Sequence, residues 1–340
     1  MVLVCVAILS HSQDRIPKHI GERCFLVCIA EFVQLLAVFC PLGLSKKYSS
    51  HTSFLLNRLS GKGISALSLF SIRKIYNRSL YCVNMKLISW NVNGLRAIYK
   101  KGSFAEILNK DFDILCLQET KVEADQLPDE VRSPKGYYAY FSHSKMRKGY
   151  SGVAVYSKGQ PTKVEEGMGL KDMDREGRLI VLYYPDFVLL NCYFPNGGGG
   201  PERLKYKLDF YDAFLGFTEK LRKKGHKVII CGDVNTAHEA VDLARPKENE
   251  NNTGFLPEER AWIDELIYHG YIDIYRHLHP NTPDTYTFWD MKTNARDRNV
   301  GWRIDYFFIS PDLLPRVKQA TMLTDFPGSD HCPILLELKG

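Results

Sequence analysis

Short apolar runs, five to nine residues long and rich in β-branched and aromatic side chains, recur through residues 85–340. Runs of this kind predict buried β-strands. They are MKLISW (85–90), DILCL (113–117), GVAVYS (152–157), RLIVLYY (178–184), FVLLNCY (187–193), KVIIC (227–231), WRIDYFFIS (302–310) and ILLEL (334–338). The Pro185-Asp186 pair between the fourth and fifth runs predicts a hairpin turn.

Helical patterns are fewer. Residues 103–110 predict a short helix, and apolar residues at three- and four-residue steps from Leu204 to Thr218 predict an amphipathic helix ending before Gly225. Residues 258–269 predict another, with Pro257 before it and Gly270 after it. Many strands with few helices favour a mixed α/β layered domain, and the lack of any boundary predicts one domain over 85–340.

The first 84 residues have a different character from the rest. They hold ten Lys and Arg against three acids, a balance of +7, and the chain's net charge of +6 therefore leaves −1 for residues 85–340. Net charge thus gives no argument for nucleic-acid binding. The overall composition, 45% hydrophobic and 25% charged, is that of a soluble globular protein and excludes collagen-like, coiled-coil and wholly disordered chains.

Three interpretations of residues 1–84 compete. Residues 24–44 are long enough for a membrane anchor but contain Glu31 and Gln34 near the middle. Residues 46–78 are basic, Ser-rich and free of acids, as in an organelle transit peptide, although an apolar stretch precedes them. The third interpretation is an atypical apolar and basic extension, disordered or not part of the working protein, because Met85 stands where a complete domain begins.

The nine cysteines divide between the two parts, with five in residues 1–84 and four in the rest. The last four lie inside apolar runs, without a CxxC pair or a histidine at metal-ligand spacing. They predict buried free thiols in a reducing compartment rather than a zinc or disulfide framework.

Polar residues stand at the ends of the apolar runs, where the strands of one α/β sandwich can converge on a cleft. Each alone is equally a turn residue, a helix cap or a surface charge. As a set, the carboxylates Glu119, Asp233, Asp305 and Asp330 suit a hard divalent cation completed by a substrate phosphate, and His331 adds a chargeable hydrogen-bond donor. The run Gly197 to Gly200 matches no nucleotide-binding motif and predicts a flexible loop over the cleft.

Nine segments together carry a resemblance to a known family. They are WNVNGLRA (90–97), LQETK (117–121), SGVAVYS (151–157), DREGR (174–178), NCYFPNG (191–197), GDVNTAH (232–238), TFWD (287–290), NVGWRIDYFFIS (299–310) and GSDHCP (328–333). Residues 85–340 resemble the exonuclease III family of abasic-site endonucleases, within the endonuclease/exonuclease/phosphatase superfamily. The resemblance implies a four-layer α/β sandwich, with two mixed β-sheets packed face to face and flanked by helices.

The resemblance also implies site residues. The metal ligands would be Asn91, Glu119, Asp233, Asn235, Asp330 and His331, with Glu119 as the principal ligand. The catalytic residues would be Tyr193, Asp233, Asn235, Asp305 and His331: Asp233 activates the water, Asn235 positions it, and His331, oriented by Asp305, contacts the scissile phosphate. Asn196 would join Tyr193 at the phosphate, and Phe288, Trp302 and Ile304 would form an apolar pocket for a flipped abasic sugar, which has no base to unpair.

The implied activity is Mg²⁺-dependent hydrolysis of duplex DNA on the 5′ side of abasic sites, with Mn²⁺ accepted and with 3′–5′ exonuclease and 3′-phosphodiesterase activity. The implied partner is double-stranded DNA with abasic sites or blocked 3′ ends. We expect a monomer without a small-molecule cofactor or membrane association, in a reducing compartment that contains DNA. The competing hypotheses are a phosphoesterase of this fold acting on inositol phosphates or sphingomyelin, and a binding module that has lost the chemistry.

Two positions depart from the family pattern. Asn93 stands where some relatives carry an aspartate metal ligand, and Gly198 to Gly200 fill the loop where some place a basic residue that inserts into DNA. DNA binding still requires local positive charge. Lys121, Arg147, Lys148 and Arg203 are the candidates for it, and each is also explained as a solvated surface charge.

Overall fold

Two six-stranded mixed sheets form the centre of the unit Met85–Lys339. A computed structural model describes residues 84–340, and the interpretations of residues 1–84 concern a segment that, apart from Asn84, lies outside the described residues. The first sheet has the order β11-β12-β1-β2-β4-β3 and the second β5-β6-β7-β8-β10-β9. The strands are β1 Met85–Asn91, β2 Ile114–Gln118, β3 Tyr138–Ser142, β4 Val153–Ser157, β5 Lys163–Glu166, β6 Leu179–Tyr183, β7 Val188–Tyr193, β8 Val228–Asp233, β9 Ile272–Asp273, β10 Asp305–Ile309, β11 Val317–Met322 and β12 Ile334–Leu338.

Helices cover the outer faces of the sheets. They are α1 Leu95–Lys100, α2 Ser103–Leu108, α3 Asp129–Arg132, α4 Lys171–Asp174, α5 Pro201–Lys223, α6 Pro246–Asn249, α7 Pro257–Tyr268 and α8 Ile274–Leu278. One core cluster joins α1 and α2 to the first sheet through Leu95, Phe104 and Trp90. A second joins α5 and α7 to the other sheet through Phe214 and Trp262. The predicted sandwich of two mixed sheets with flanking helices is confirmed.

Polar side chains cross between the sheets in their buried centre. Gln118 Nε2 donates to Asn191 Oδ1 at 2.7 Å, and Asn191 Nδ2 donates to the carbonyl oxygens of Leu117 and Ala154. A hydrogen bond in this low-dielectric interior has strict geometry and costs free energy when it is broken. The bonds therefore set the position of β7 against β2 and β4, and with it the alignment of the strand ends that form the site.

The predicted elements are found with small changes in their bounds. The Pro185-Asp186 hairpin pairs Tyr183 with Val188, and the helices predicted at 204–224 and 258–269 are α5 and α7. The strand predicted at 302–310 begins only at Asp305, because Trp302 forms separate bridges with Leu243 and Phe288. The four cysteines of the described part are free and buried, and no helix there is long and apolar enough to cross a membrane.

Candidate active site

A cleft of about 330 Å³ opens where strands from both sheets end. Ten of the predicted site residues line it: Glu119, Tyr193, Asn196, Asp233, Asn235, Phe288, Trp302, Ile304, Asp330 and His331. Asn91 and Asp305 lie directly behind the lining, where each bonds to a lining residue. The structure thus brings all twelve predicted site residues together.

Strand pairing explains why residues so far apart in sequence meet here. In the second sheet Asp233 has two cross-strand partners. Asp305 is its antiparallel partner on one side, and Tyr193 is its parallel partner on the other. Close packing of β7 and β8 requires glycine at position 232, since a Cβ there would lie 1.8 Å from the Cys192 carbonyl oxygen. Cross-strand register therefore sets the two aspartates side by side.

The residues that follow the strands adopt left-handed backbone conformations. Asn93, Glu119 and Asn235 have φ of 44°, 54° and 57°, values that side-chain-bearing residues seldom adopt. Asparagine tolerates this region better than most residues, but glutamate does not. Such conformations persist only where the surroundings fix them, and here they turn the side chains of successive loops toward one cleft.

Asn91 connects the carboxylates of the two sheets. Its Nδ2 donates to Glu119 Oε2 at 3.1 Å and to Asp233 Oδ2 at 2.8 Å. Lys121 Nζ lies 2.8 Å from Glu119 Oε1 and 2.6 Å from Asn93 Oδ1, and Asn93 Nδ2 donates to Asp330 Oδ2. The cleft lining thus sets three carboxylates against one lysine.

This donor set fits a hard divalent cation. Carboxylate and amide oxygens are the ligands that Mg²⁺ prefers, and the excess negative charge in the lining favours a cation. Asp233, Asp305 and His331 also place one ligand atom each within 4.8 Å of one another, although Asp305 was not predicted as a ligand. Of the predicted ligands, Glu119, Asp233 and Asp330 are the carboxylates that line the cleft, and Glu119 is paired there with Lys121.

His331 is held as a hydrogen-bond donor by Asp305. Its Nδ1 lies 2.8 Å from Asp305 Oδ2, and both side chains are at most 5% exposed. Burial alone lowers the pKa of His331, but Asp305 and the neighbouring aspartates Asp233 and Asp330 outweigh it and raise the pKa to about 10. The imidazole is therefore charged at neutral pH, with Nε2 free to serve a phosphate oxygen.

Asp233 is the buried carboxylate that faces this pair. Burial and the charge of Asp305 raise the pKa of Asp233 to about 7, against the opposing effects of His331 and of hydrogen bonds from Asn235 and Asn91. The Asn235 backbone N–H donates to Asp233 Oδ1 at 2.8 Å, and Asn235 Nδ2 approaches Oδ2 at 3.2 Å. A carboxylate whose pKa lies near neutral pH suits a general base.

The Tyr193 ring packs against the buried guanidinium of Arg178. The Arg178 guanidinium lies 4.7 Å from the centre of the Tyr193 ring, and Arg178 Nη1 donates to the Tyr193 carbonyl oxygen at 2.9 Å. Burial and the charge of Glu119 raise the pKa of Tyr193 well above its usual value, although Arg178 lowers it. The hydroxyl therefore remains protonated, as a hydrogen-bond donor requires.

The apolar side of the cleft belongs to a separate small cluster. Phe288, Trp302 and Ile304 pack against Phe255 and its neighbours, and the Phe288 ring centre lies 4.9 Å from that of His331. The backbone N–H groups of Ile304 and Asp305 both donate to Thr287 Oγ1 at 3.1 Å. The apolar wall and the charged pair thus share one backbone support.

Thr253 and Gly254, in the loop before α7, also line the cleft and were not predicted from the sequence. Gly254 has a positive φ, but a glycine alone is too common in a sequence to mark a site. Of the four candidate cations, only Lys121 lines the cleft. Arg203 instead pairs with Glu176 and the Tyr150 hydroxyl, while Arg147 and Lys148 are exposed.

The glycine run does not lie over the cleft as predicted. Asn196 lines the cleft and donates to Asn235 Oδ1 at 3.0 Å, but the four glycines after it do not. A Cβ at Gly197 would lie 2.2 Å from Thr253 Oγ1, so this glycine allows close packing between two loops. Gly199 and Gly200 adopt positive φ and turn the chain into α5.

Comparison with known proteins places this geometry in context. The model of the endonuclease/exonuclease/phosphatase family matches residues 88–331. An exodeoxyribonuclease of Bacillus subtilis is 43% identical over 253 residues, which cover 74% of this chain and 98% of that protein. A DNA-(apurinic or apyrimidinic site) endonuclease of Dictyostelium discoideum is 41% identical over 254 residues, covering 74% of this chain and 69% of the relative.

A solved structure agrees with these relatives. The crystal structure of the AP endonuclease LMAP from Leishmania major superposes with a TM-score of 0.70 at 31% identity, over 76% of this chain and 88% of that one. The similarity therefore extends over most of both chains. It does not favour the inositol phosphate or sphingomyelin hypothesis.

Proposed function

The chain belongs to the endonuclease/exonuclease/phosphatase family as a DNA-repair nuclease, and from this premise we propose that it hydrolyses duplex DNA 5′ to abasic sites with Mg²⁺. We propose 3′–5′ exonuclease and 3′-phosphodiesterase activities at the same cleft. One observation carries the proposal: Asp233 and the His331–Asp305 pair share a cleft with the apolar wall of Phe288, Trp302 and Ile304. Phosphate chemistry then lies beside a surface suited to a sugar without its base.

The chemistry is an in-line displacement at phosphorus, in which a water attacks and the 3′-oxygen of the preceding nucleotide leaves. Asp233, with its pKa raised to about 7 by burial and by Asp305, accepts the proton of the attacking water. Asn235 and Asn196, hydrogen-bonded to each other, position that water and the phosphate. His331 and Tyr193 donate to the phosphate oxygens, where negative charge develops.

Glu119, with Asn91 and Asp330 beside it, would hold the Mg²⁺. The other predicted ligands, Asp233, Asn235 and His331, act on the attacking water and the phosphate instead, because a protonated imidazole has no lone pair for a metal and Asp233 must accept the proton of the water. The ion supplies positive charge that stabilises the transition state on phosphorus. Lys121 lies against Glu119 and limits the net negative charge that DNA meets at this end of the cleft.

Recognition of the lesion follows from the apolar wall. An abasic nucleotide has no base pair to break, so moving its sugar out of the helix costs less than the usual few kcal/mol. Trp302 and Ile304 would bury the sugar, and Phe288 would separate it from the surrounding duplex. We further propose that the protein acts as a monomer in the DNA-containing compartment of its cell, and the four buried free thiols support a reducing one.

The test uses the full-length chain on a duplex oligonucleotide with one tetrahydrofuran abasic analogue, with Mg²⁺ and with EDTA. We expect incision 5′ to the analogue with Mg²⁺, none with EDTA, and none at that position of the matched undamaged duplex. The His331→Asn variant serves as the matched control for a contaminating nuclease. Incision by the wild-type protein in EDTA, or equal incision by the variant, would contradict the proposal. Hydrolysis of inositol phosphates or sphingomyelin in place of DNA would support the competing phosphoesterase hypothesis.

A further inference from the structure

A buried ion pair lies behind the cleft, between two helices that contribute no residue to its lining. Lys207 Nζ of α5 is 2.6 Å from Glu259 Oε1 of α7, and both side chains are 0% exposed. Burying a charged pair costs several kcal/mol of desolvation, and an apolar pair of similar volume is often as stable. Stability alone therefore gives no reason for these two charges, and their other contacts indicate what they hold.

Lys207 holds the loop that carries Asn235. Its Nζ donates to the Asn235 carbonyl oxygen and to Thr236 Oγ1, each at 2.8 Å. Asn235 has φ of 57°, so its backbone needs such support to keep the left-handed conformation. Asn235 Nδ2 donates to the Phe194 carbonyl oxygen at 3.0 Å. The lysine thus fixes the peptide from which the Asn235 side chain reaches the cleft.

Glu259 holds the opposite loop. Its Oε1 accepts from Thr253 Oγ1 at 2.7 Å, and its Oε2 accepts from the backbone N–H groups of Gly254 at 2.5 Å and Leu256 at 3.1 Å. A Cβ at Gly254 would lie 3.2 Å from the Trp302 ring, so this turn packs closely against the apolar wall. The ion pair therefore joins the loop of the phosphate chemistry to the loop behind the sugar pocket.

We propose that Lys207 is a positioning residue for the reaction, which, anchored by Glu259, holds Asn235 where it orients the attacking water. The inference rests on the proposed function, because it assumes that role for Asn235. It predicts a loss confined to the chemical step, since Asn235 moves while the apolar wall that binds the sugar stays in place. A displacement near 1 Å at a positioning group costs about 100-fold in rate.

The experiment compares three forms of the full-length chain. The wild-type protein is the reference, because in it Glu259 still anchors Lys207. The double variant Lys207→Met/Glu259→Gln removes the bonds to Asn235 and Thr236, leaves no buried carboxylate without its lysine, and keeps an amide oxygen that can accept from Gly254. The single variant Glu259→Gln, which keeps the bonds from Lys207 to Asn235 and Thr236, separates the contribution of Glu259. Steady-state incision of the tetrahydrofuran duplex gives kcat and KM for all three, at a temperature where circular dichroism shows them folded.

We expect kcat to fall about 10-fold to 100-fold from the wild-type protein to K207M/E259Q, with KM little changed and with E259Q between the two. If the Lys207→Met substitution prevents folding, Lys207→Gln in the same background replaces it. The glutamine side chain is one bond shorter than that of lysine, so its amide does not reach the Asn235 carbonyl oxygen and the same loss is expected. Equal kcat values in the folded wild-type and K207M/E259Q proteins, or a rise in KM without a fall in kcat, would overturn the role of Lys207. Absence of incision by the wild-type protein would instead overturn the proposed function, and this role with it.

Discussion

Replacing Asp242 with asparagine will destabilise the protein in a pH-dependent way. Asp242 accepts from Arg303 Nε at 2.7 Å and from Arg276 Nη2 at 2.6 Å, and Arg303 also bonds to Asp273 at 2.7 Å. Arg303 and Asp242 are both 0% exposed. Arg303 stands between Trp302 and Ile304, so this network supports the apolar wall of the cleft from the interior side.

The magnitude follows from the pKa of Asp242. Burial alone raises this pKa, but the Arg303 and Arg276 guanidinium groups outweigh it and lower the pKa from 3.8 to about 2. This lower pKa in the folded state corresponds to about 2 kcal/mol of stability at neutral pH. Because the folded-state pKa is the lower one, this stability is present above the unfolded value and is lost as the pH falls toward 2. About half remains at pH 3.

The assay is urea unfolding of the wild-type and Asp242→Asn proteins at pH 7 and pH 3, followed by circular dichroism. We expect the free energy of unfolding to drop by about 2 to 3 kcal/mol at pH 7 and by about half as much at pH 3. Asp209→Asn is the matched control: its partner Lys205 forms an exposed pair of the same charges, and we expect a change within about 0.5 kcal/mol. A loss that is equal at both pH values would refute the linkage.

Three further outcomes follow from the same geometry. Asp233→Asn should lower incision about 100-fold to 10,000-fold in a gel assay, because the general base is lost, while fluorescence anisotropy in EDTA shows retained binding of the abasic duplex. Trp302→Ala should weaken binding of the abasic duplex more than that of undamaged duplex, as measured by anisotropy competition, and equal weakening would contradict the sugar pocket. Gly197→Ala should lower the melting temperature in calorimetry, since its Cβ would meet Thr253 Oγ1 at 2.2 Å. Gly216→Ala should not, because its Cβ would meet nothing within 4 Å beyond its chain neighbours and the backbone of its own helix.

The buried strands were predictable, and the edges of the sheets were not. The four strands absent from the sequence analysis are β3, β5, β9 and β11, and they are the edge strands of the two sheets. β5 reads KVEE and β11 reads VKQATM, with mostly exposed or half-buried residues. An edge strand pairs on one side only, and polar residues there prevent pairing with other chains. Its sequence therefore lacks the continuous apolar run by which a central strand is recognised.

Several cleft residues were predictable because they are polar residues within or next to an apolar run. Asn91, Glu119 and Asp233 interrupt or end apolar runs, so each breaks a pattern that the run itself establishes. The direct pairing of Asp233 with Asp305 could not be predicted in this way, because β8 and β10 are separated by α6, α7, β9 and α8 along the chain. Sheet order, which the strand patterns do not contain, decides which strand ends become neighbours.

The supporting residues were not predictable, because they do not break any pattern. Lys207 and Glu259 lie on helices whose apolar positions already explain the packing. From the sequence alone, two charged residues on such helices are therefore interpreted as part of the solvent-exposed face. What places them in the interior is their mutual contact across 52 residues of sequence together with the loop groups that they bind. A buried charge needs partners that satisfy it, and here the partners are the backbone groups of the two loops that meet at the cleft. These contacts join residues far apart in sequence, so the sequence pattern does not show them. They are also the contacts that give Lys207 and Glu259 their proposed role in the site.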